Sequence, residues 1–219
     1  MNKLLLNLYT RLPKGFKTIA KRMAQIPLDS MQDCPEMFRF YREWSSNDNL
    51  KRVPGGWIYK NNFYPDYLTA GGASFAIFHK ALEVCKGTGI DVSAGYWPLP
   101  GSIPIDDARG PGQGNRIEDF QDNTLDYVFS SHCLEHIEKW GSALGRWIQK
   151  LKQGGVIFLY LPHQICEIWH PGSPFVGDGH KWIPTPDIIK KSLAENNCEI
   201  LSSDDGPDAM YSFYVCGRK

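Results

Sequence analysis

The sequence predicts an α/β fold built on a mostly parallel sheet, and three observations carry that expectation. Apolar runs of strand length end in small or acidic residues: Gly89–Ser93 leads into Ala94 and Gly95, and Ser102–Ile105 is closed by Asp106 and Asp107. A turn at Asn123 and Thr124 precedes the apolar run Leu125–Ser130, and a helical stretch to Leu151 then feeds the strand-like segment GGVIFLYLP. Alternation of strand, helix and strand builds a parallel sheet with helices on its faces. Last, Thr185, Pro186 and Asp187 read as a helix start, with a capping hydroxyl, a proline at the first helical position and an acid favourable to the dipole.

In chain order, the amino end comes first. Leu4, Leu5, Leu8, Leu12, Phe16, Ile19, Ala20 and Met23 recur at near-helical spacing among Lys3, Arg11, Lys14, Lys17, Lys21 and Arg22, with Pro13 and Gly15 as a break or kink. A basic amphipathic segment of this kind suits an anionic membrane surface, or else packs on the domain or a partner. Residues 27–66 are crowded with aromatic and turn residues. They predict a helix over Cys34–Trp44 followed by loops or short strands, forming either a lid over the cleft or an aromatic satellite core. Residues 1–66 are therefore read as an extension and 67–219 as the main domain, whose first helix falls within 70–86 and covers the sheet.

Gly89 to Asp106 is the stretch richest in chemistry. Pro98, Pro100 and Gly101 exclude a long crossover helix after the first strand, so Tyr96–Gly101 is expected to be an irregular loop. Small residues at 93–95 let the backbone approach a ligand closely. Carboxylates ending a second parallel strand lie beside that turn, where they can accept both hydroxyls of a ribose. Such an edge suits a nucleoside.

The segments GIDVSAGYWPLPGSIPID, NTLDYVFSSHCLEHI and LKQGGVIFLYLP follow one another in this order. Together they resemble the class I S-adenosylmethionine-dependent methyltransferases, in the broad subgroup patterned LDLGCGP, PGxIxVD, FPDNSFDxVxSSHxLEHI and LKPGGxLxLxxP. The likeness runs from about Gly87 to Pro162. It implies a Rossmann-like three-layer sandwich with a mostly parallel seven-stranded sheet and an antiparallel C-terminal strand, Cys198–Ser202 and Met210–Gly217 closing it as a pair. It also implies S-adenosyl-L-methionine as cofactor. Asp91, Ser93, Ala94 and Gly95 would then lie along its amino-acid end, Asp106 at the ribose and Asp107 beside the adenine. Asn115, Arg116 and Ile117 would complete the adenine site, and Ser131 the methionine side. Ser93 stands where the family usually has glycine, Trp97 where a third glycine is common, and Gln153 where LKPGG has proline. Trp97 is read as an aromatic wall near the methionine end.

His132, Glu135 and His136 are the candidate catalytic residues. On a helix starting near His132 they would stand at i, i+3 and i+4, on one face at the carboxyl edge of the sheet. The run admits a general base acting on an acceptor hydroxyl, a metal triad, or a cap that only orders a loop. No metal is assigned. The glycine-rich loop after Pro162 carries His163, His170 and His180, candidates for binding the substrate.

Composition narrows the classes. The 219 residues are 42% hydrophobic and 22% charged, ordinary for a globular protein, and 24 basic residues balance 24 acidic ones, which argues against bulk nucleic-acid binding. Six cysteines without a CxxC pair read as reduced cytosolic thiols, and no apolar run reaches bilayer-spanning length. A cytoplasmic location follows, with peripheral contact at the inner membrane face through residues 1–26. The expected activity is methyl transfer to a small-molecule or sugar hydroxyl, as in surface-glycan or secondary metabolism. An RNA, nitrogen or carboxyl acceptor, or a non-catalytic donor-binding scaffold, are the alternatives. A sulfonium methyl needs positioning more than activation, so the absence of a conspicuous nucleophile is in keeping.

Overall fold

Two strands that are apolar on both sides force the sheet into the middle of the molecule. In β6 (Leu125–Ser131) and β7 (Leu151–Pro162), Tyr127, Phe129, Phe158 and Tyr160 serve one face, while Val128, Ile157 and Leu159 serve the other. Helix α1 (Phe78–Val84) covers the first face, with Ala81 fully buried against it. Helices α2 (Trp140–Lys150) and α3 (Pro186–Glu195) cover the second through Leu144, Trp147, Ile148, Ile189 and Leu193. These are the three layers expected. The computed structural model describes residues 49–69, 71–107 and 110–219, so the expectations for residues 1–26 and Cys34–Trp44 lie outside the described residues.

Strands β4 (Gly89–Val92) and β5 (Ile103–Ile105) extend the sheet on one side, β8 (Glu199–Asp204) and β9 (Ser212–Arg218) on the other. The order is β5-β4-β6-β7-β9-β8, with the first four parallel and β9 antiparallel to both of its neighbours. Among the described residues the sheet has six strands, not the seven expected. After β5 the chain doubles back: the Asp106 N–H donates to the Gly112 carbonyl at 3.1 Å, and the Gly114 N–H to the Asp106 carbonyl at 2.9 Å. Gly110, Pro111, Gly112 and Gly114 leave no run able to pair as a strand, and a Cβ at Gly112 would stand 2.5 Å from the Pro104 carbonyl carbon. The three-residue β5, with Pro104 at its centre, is therefore a sheet edge that resists further pairing.

No helix separates β4 from β5. Tyr96–Gly101 is an irregular loop as expected, fastened where the Leu99 N–H donates to Asp91 Oδ2 at 2.7 Å. The helix start at Thr185 is also observed, its Oγ1 accepting the Ile188 N–H at 3.3 Å.

Ahead of α1 stands an antiparallel meander of β1 (Leu50–Val53), β2 (Gly56–Tyr59) and β3 (Asn62–Pro65). Its aromatic side chains face the loop after β7: Trp57 and Tyr59 meet Phe175 edge to face at 5.6 and 6.4 Å, and the Tyr64 hydroxyl accepts the Glu167 N–H at 3.3 Å. Asn49–Lys219 form one compact unit that includes this meander.

Candidate active site

The carboxyl ends of β4, β5 and β6 lie side by side, and short side chains let their backbones curl there. Ser93 and Gly95 adopt left-handed backbone, with φ of +63° and +55°. For Ser93 that conformation carries strain of about 1 kcal/mol, which glycine would avoid. The Ala94 N–H donates to the Ile105 carbonyl at 3.1 Å, and the Gly95 N–H to Asp106 Oδ2 at 3.0 Å, so the turn after β4 is tied to the acid after β5. Asp106 is nearly buried and Asp107 exposed. Burial, helped by the charge of Asp106 and opposed by the Leu99 N–H, pushes Asp91 up to about 7.

The HCLEH run sits one strand further along. A helix does not start at His132. The parallel ladder continues instead, the His132 N–H donating to the Tyr160 carbonyl at 2.8 Å, and His132 itself has φ of +50°. A single 3₁₀ turn, Leu134–His136, follows. The three side chains nevertheless converge: Glu135 Oε1 lies 3.6 Å from His132 Nδ1 and 4.0 Å from His136 Nε2. A fourth group joins them from the loop after β7. The Lys181 N–H donates to the Glu135 carbonyl at 2.8 Å, Trp182 Nε1 to the Leu134 carbonyl at 2.9 Å, and Trp182 stacks on Trp140 at 4.3 Å. This clamp sets His180 against His136, ring centroids 4.5 Å apart.

Glu135 is fully buried, and neither of its carboxyl oxygens has a hydrogen-bond partner among the described residues. Burial pushes it up to about 8, opposed by its own backbone N–H. Burial likewise drives His132 down to about 3, the neighbouring His180 and His136 adding to the shift, and His180 to about 4 with His136 adding. The imidazoles of His132 and His180 are thus neutral at physiological pH. Between cluster and cradle stands Cys133, whose thiol reaches the hydroxyls of Ser93 and Ser130.

Residues 70–159 match the family model described as a methyltransferase domain. This match and the fold support a class I S-adenosylmethionine-dependent methyltransferase. Among solved structures, a SAM-dependent methyltransferase from Archaeoglobus fulgidus is 15% identical with a TM-score of 0.52, the alignment covering 69% of this chain and 96% of that one. An S-adenosylmethionine-dependent methyltransferase from Mesorhizobium loti is 14% identical with a TM-score of 0.52, covering 69% of this chain and all (100%) of that one. At such identities these two structures show a shared fold. Comparison with curated protein sequences finds no match.

The cradle of this methyltransferase domain suits its cofactor, S-adenosylmethionine. Left-handed backbone at Ser93 and Gly95 with the small Ala94 between them leaves the turn without bulk, and the Asp106 carboxylate ends the adjacent strand. Of the other residues singled out from sequence, Asn115 Nδ2 donates to the Pro104 carbonyl at 3.0 Å and the Arg116 N–H to Asp119 Oδ2 at 2.8 Å, and both are exposed parts of the loop that follows β5. Ile117 opens a 3₁₀ turn, Ile117–Asp119, and Ser131 is the last residue of β6. Trp97 is partly exposed, its ring between those of Phe75 and Tyr96 at 6.0 and 6.4 Å. The loop histidines separate: His180 joins the cluster, whereas His163 Nδ1 accepts the Ile165 N–H at 3.1 Å and His170 Nε2 donates to the Gln164 carbonyl at 2.7 Å. From sequence His180 belongs with the substrate loop, and nothing there points to its meeting with Glu135. Its only trace there was a histidine in a glycine-rich loop.

Proposed function

We propose that this methyltransferase acts on a hydroxyl group of a small molecule or sugar. The observation that carries the reading is the cluster of proton acceptors at the carboxyl edge of β6, with Cys133 bridging it to the cradle. A hydroxyl is a poor nucleophile until its proton is drawn off, whereas a neutral amine attacks with its lone pair and sheds a proton afterwards. The half-exposed His136, beside Glu135, is placed to serve the first case. Held in the cradle, S-adenosylmethionine would supply an electrophilic methyl group for transfer to an acceptor oxygen, whose proton would pass to the protein or solvent. Asp106 accepts from the ribose hydroxyls, Asp91 and Ser93–Gly95 hold the amino-acid end, and Trp97 walls the cleft against water. His136, about half exposed, is the cluster member that meets an acceptor.

Two measurements test this. Asp106→Ala should weaken S-adenosylmethionine binding by roughly tenfold to a hundredfold in calorimetry, the loss of one or two charge-assisted hydrogen bonds, with the circular dichroism spectrum unchanged. Formation of S-adenosylhomocysteine should then appear with polyols, phenols or sugars and not with matched amines. Turnover confined to amines would overturn the oxygen acceptor. A folded chain that does not bind the donor would be a scaffold instead.

A further inference from the structure

The geometry points to a divalent-cation site of zinc-like preference formed by Glu135, His136 and His180, with His132 at its rim. One ligand atom from each of the first three lies within 4.8 Å of the other two. Around an ion bonded at about 2.1 Å, ligand atoms stand about 3.4 Å apart, so small side-chain rotations close the set.

Hydrogen bonding on the outer side of each ring says which nitrogen faces inward. The carbonyls of Gly179 and Trp169 can only accept, so His136 Nδ1 at 3.0 Å and His180 Nδ1 at 2.6 Å must carry the protons. Their Nε2 lone pairs are then directed away from those carbonyls, that of His136 lying on the Glu135 side. Ser212 Oγ donates to the Met210 carbonyl at 3.1 Å, so at 2.9 Å it accepts from His132 Nε2, and His132 Nδ1 presents a lone pair 3.6 Å from Glu135 Oε1. A buried carboxylate thus meets imidazole lone pairs, acceptor against acceptor, with both of its own oxygens unsatisfied among the described residues. Such an arrangement repels itself unless a proton or a cation occupies its centre, and the convergence of three ligand atoms suits a cation. Metal-binding histidines characteristically donate their second ring N–H to a backbone carbonyl or similar acceptor, and all three here do so.

The donor set selects the ion. Imidazole nitrogens with one carboxylate favour zinc and the late first-row divalent ions over magnesium, which takes oxygen ligands and keeps its waters. With three or four protein ligands and His136 half exposed, a position remains toward the surface. There the ion takes an acceptor oxygen and lowers the pKa of its proton. That last role rests on the hydroxyl reading above; cation binding does not.

The test uses the full chain freed of metal by chelation, with no donor or acceptor present. Titration with zinc chloride should give one ion per chain by calorimetry and by elemental analysis after desalting, together with a raised melting temperature. Magnesium chloride should give neither. Cobalt(II) should give visible ligand-field bands without a thiolate charge-transfer band. Glu135→Gln and His180→Ala should each weaken zinc binding by roughly a hundredfold while retaining S-adenosylmethionine binding as the check on folding; Ser212→Ala should weaken it by roughly tenfold, and the exposed His79→Ala should not change it. If Glu135→Gln does not fold, His136→Ala takes its place. Wild-type chain that takes up no zinc, or folded Glu135 and His180 variants that bind it as wild type does, would overturn the site. Neither result bears on whether methyl transfer goes to oxygen.

Discussion

Asp91 shows how a single carboxyl ties the cradle to the stability of the whole domain. It is almost fully buried at the end of β4, where it holds Leu99 and keeps its proton up to about pH 7. In the unfolded chain the same proton leaves near pH 4. Between these values the folded state binds more protons than the unfolded one, so stability falls as pH rises through the window, by up to about 1.4 kcal/mol per pH unit. Asp91→Asn retains an oxygen to accept the Leu99 N–H and cannot ionise. Its urea midpoint relative to wild type should therefore be constant below pH 4 and climb steadily to pH 7. Parallel profiles for the two proteins would mean that Asp91 is already ionised in the fold.

At the scale of elements, helix α3 rests on a local device readable in sequence. Thr185→Ala should cost about 1 kcal/mol in chemical denaturation, and Thr185→Ser only a few tenths, because a serine hydroxyl still reaches the Ile188 N–H. A full-sized loss in the serine variant would show that the γ-methyl, not the cap, matters. The cap, the proline-bearing loop at 96–101 and the apolar strands β4, β6 and β7 were all legible because their causes are local. The seventh strand came from resemblance alone, and among the described residues no strand pairs beyond β5, where glycines stand at 110, 112 and 114. A helix at His132 looked natural from i, i+3, i+4 spacing, but ladder pairing with Tyr160 extends through that residue. The candidate cluster divides the same way. His132, Glu135 and His136 are neighbours in the chain and could be grouped on sight. His180 reaches them only through the clamp of Lys181 and Trp182 on the Leu134–His136 turn, a tertiary contact with no counterpart in local pattern. Nor does sequence distinguish His180 from His163 and His170, whose rings bond within their own loop.

For the whole molecule, the charge balance conceals a division. Residues 1–26 hold six basic side chains and no acidic one, so with 24 of each sign overall the remaining residues carry a net charge of −6. Among the described residues no helix is long and apolar enough to cross a membrane. We propose that the basic segment meets an anionic lipid surface. Each basic side chain near such a surface contributes about 1 kcal/mol, and the attraction is screened over about 8 Å at physiological salt. The full chain should consequently sediment with phosphatidylserine-containing vesicles at low ionic strength, release progressively as salt is added, and ignore vesicles of phosphatidylcholine alone. Reversing Lys14, Lys17 and Lys21 to glutamate turns the segment's charge from +6 to zero. That variant should stay in the supernatant while binding S-adenosylmethionine as wild type does. Equal sedimentation of the two proteins would show that the charge of this segment does not govern binding to the vesicles.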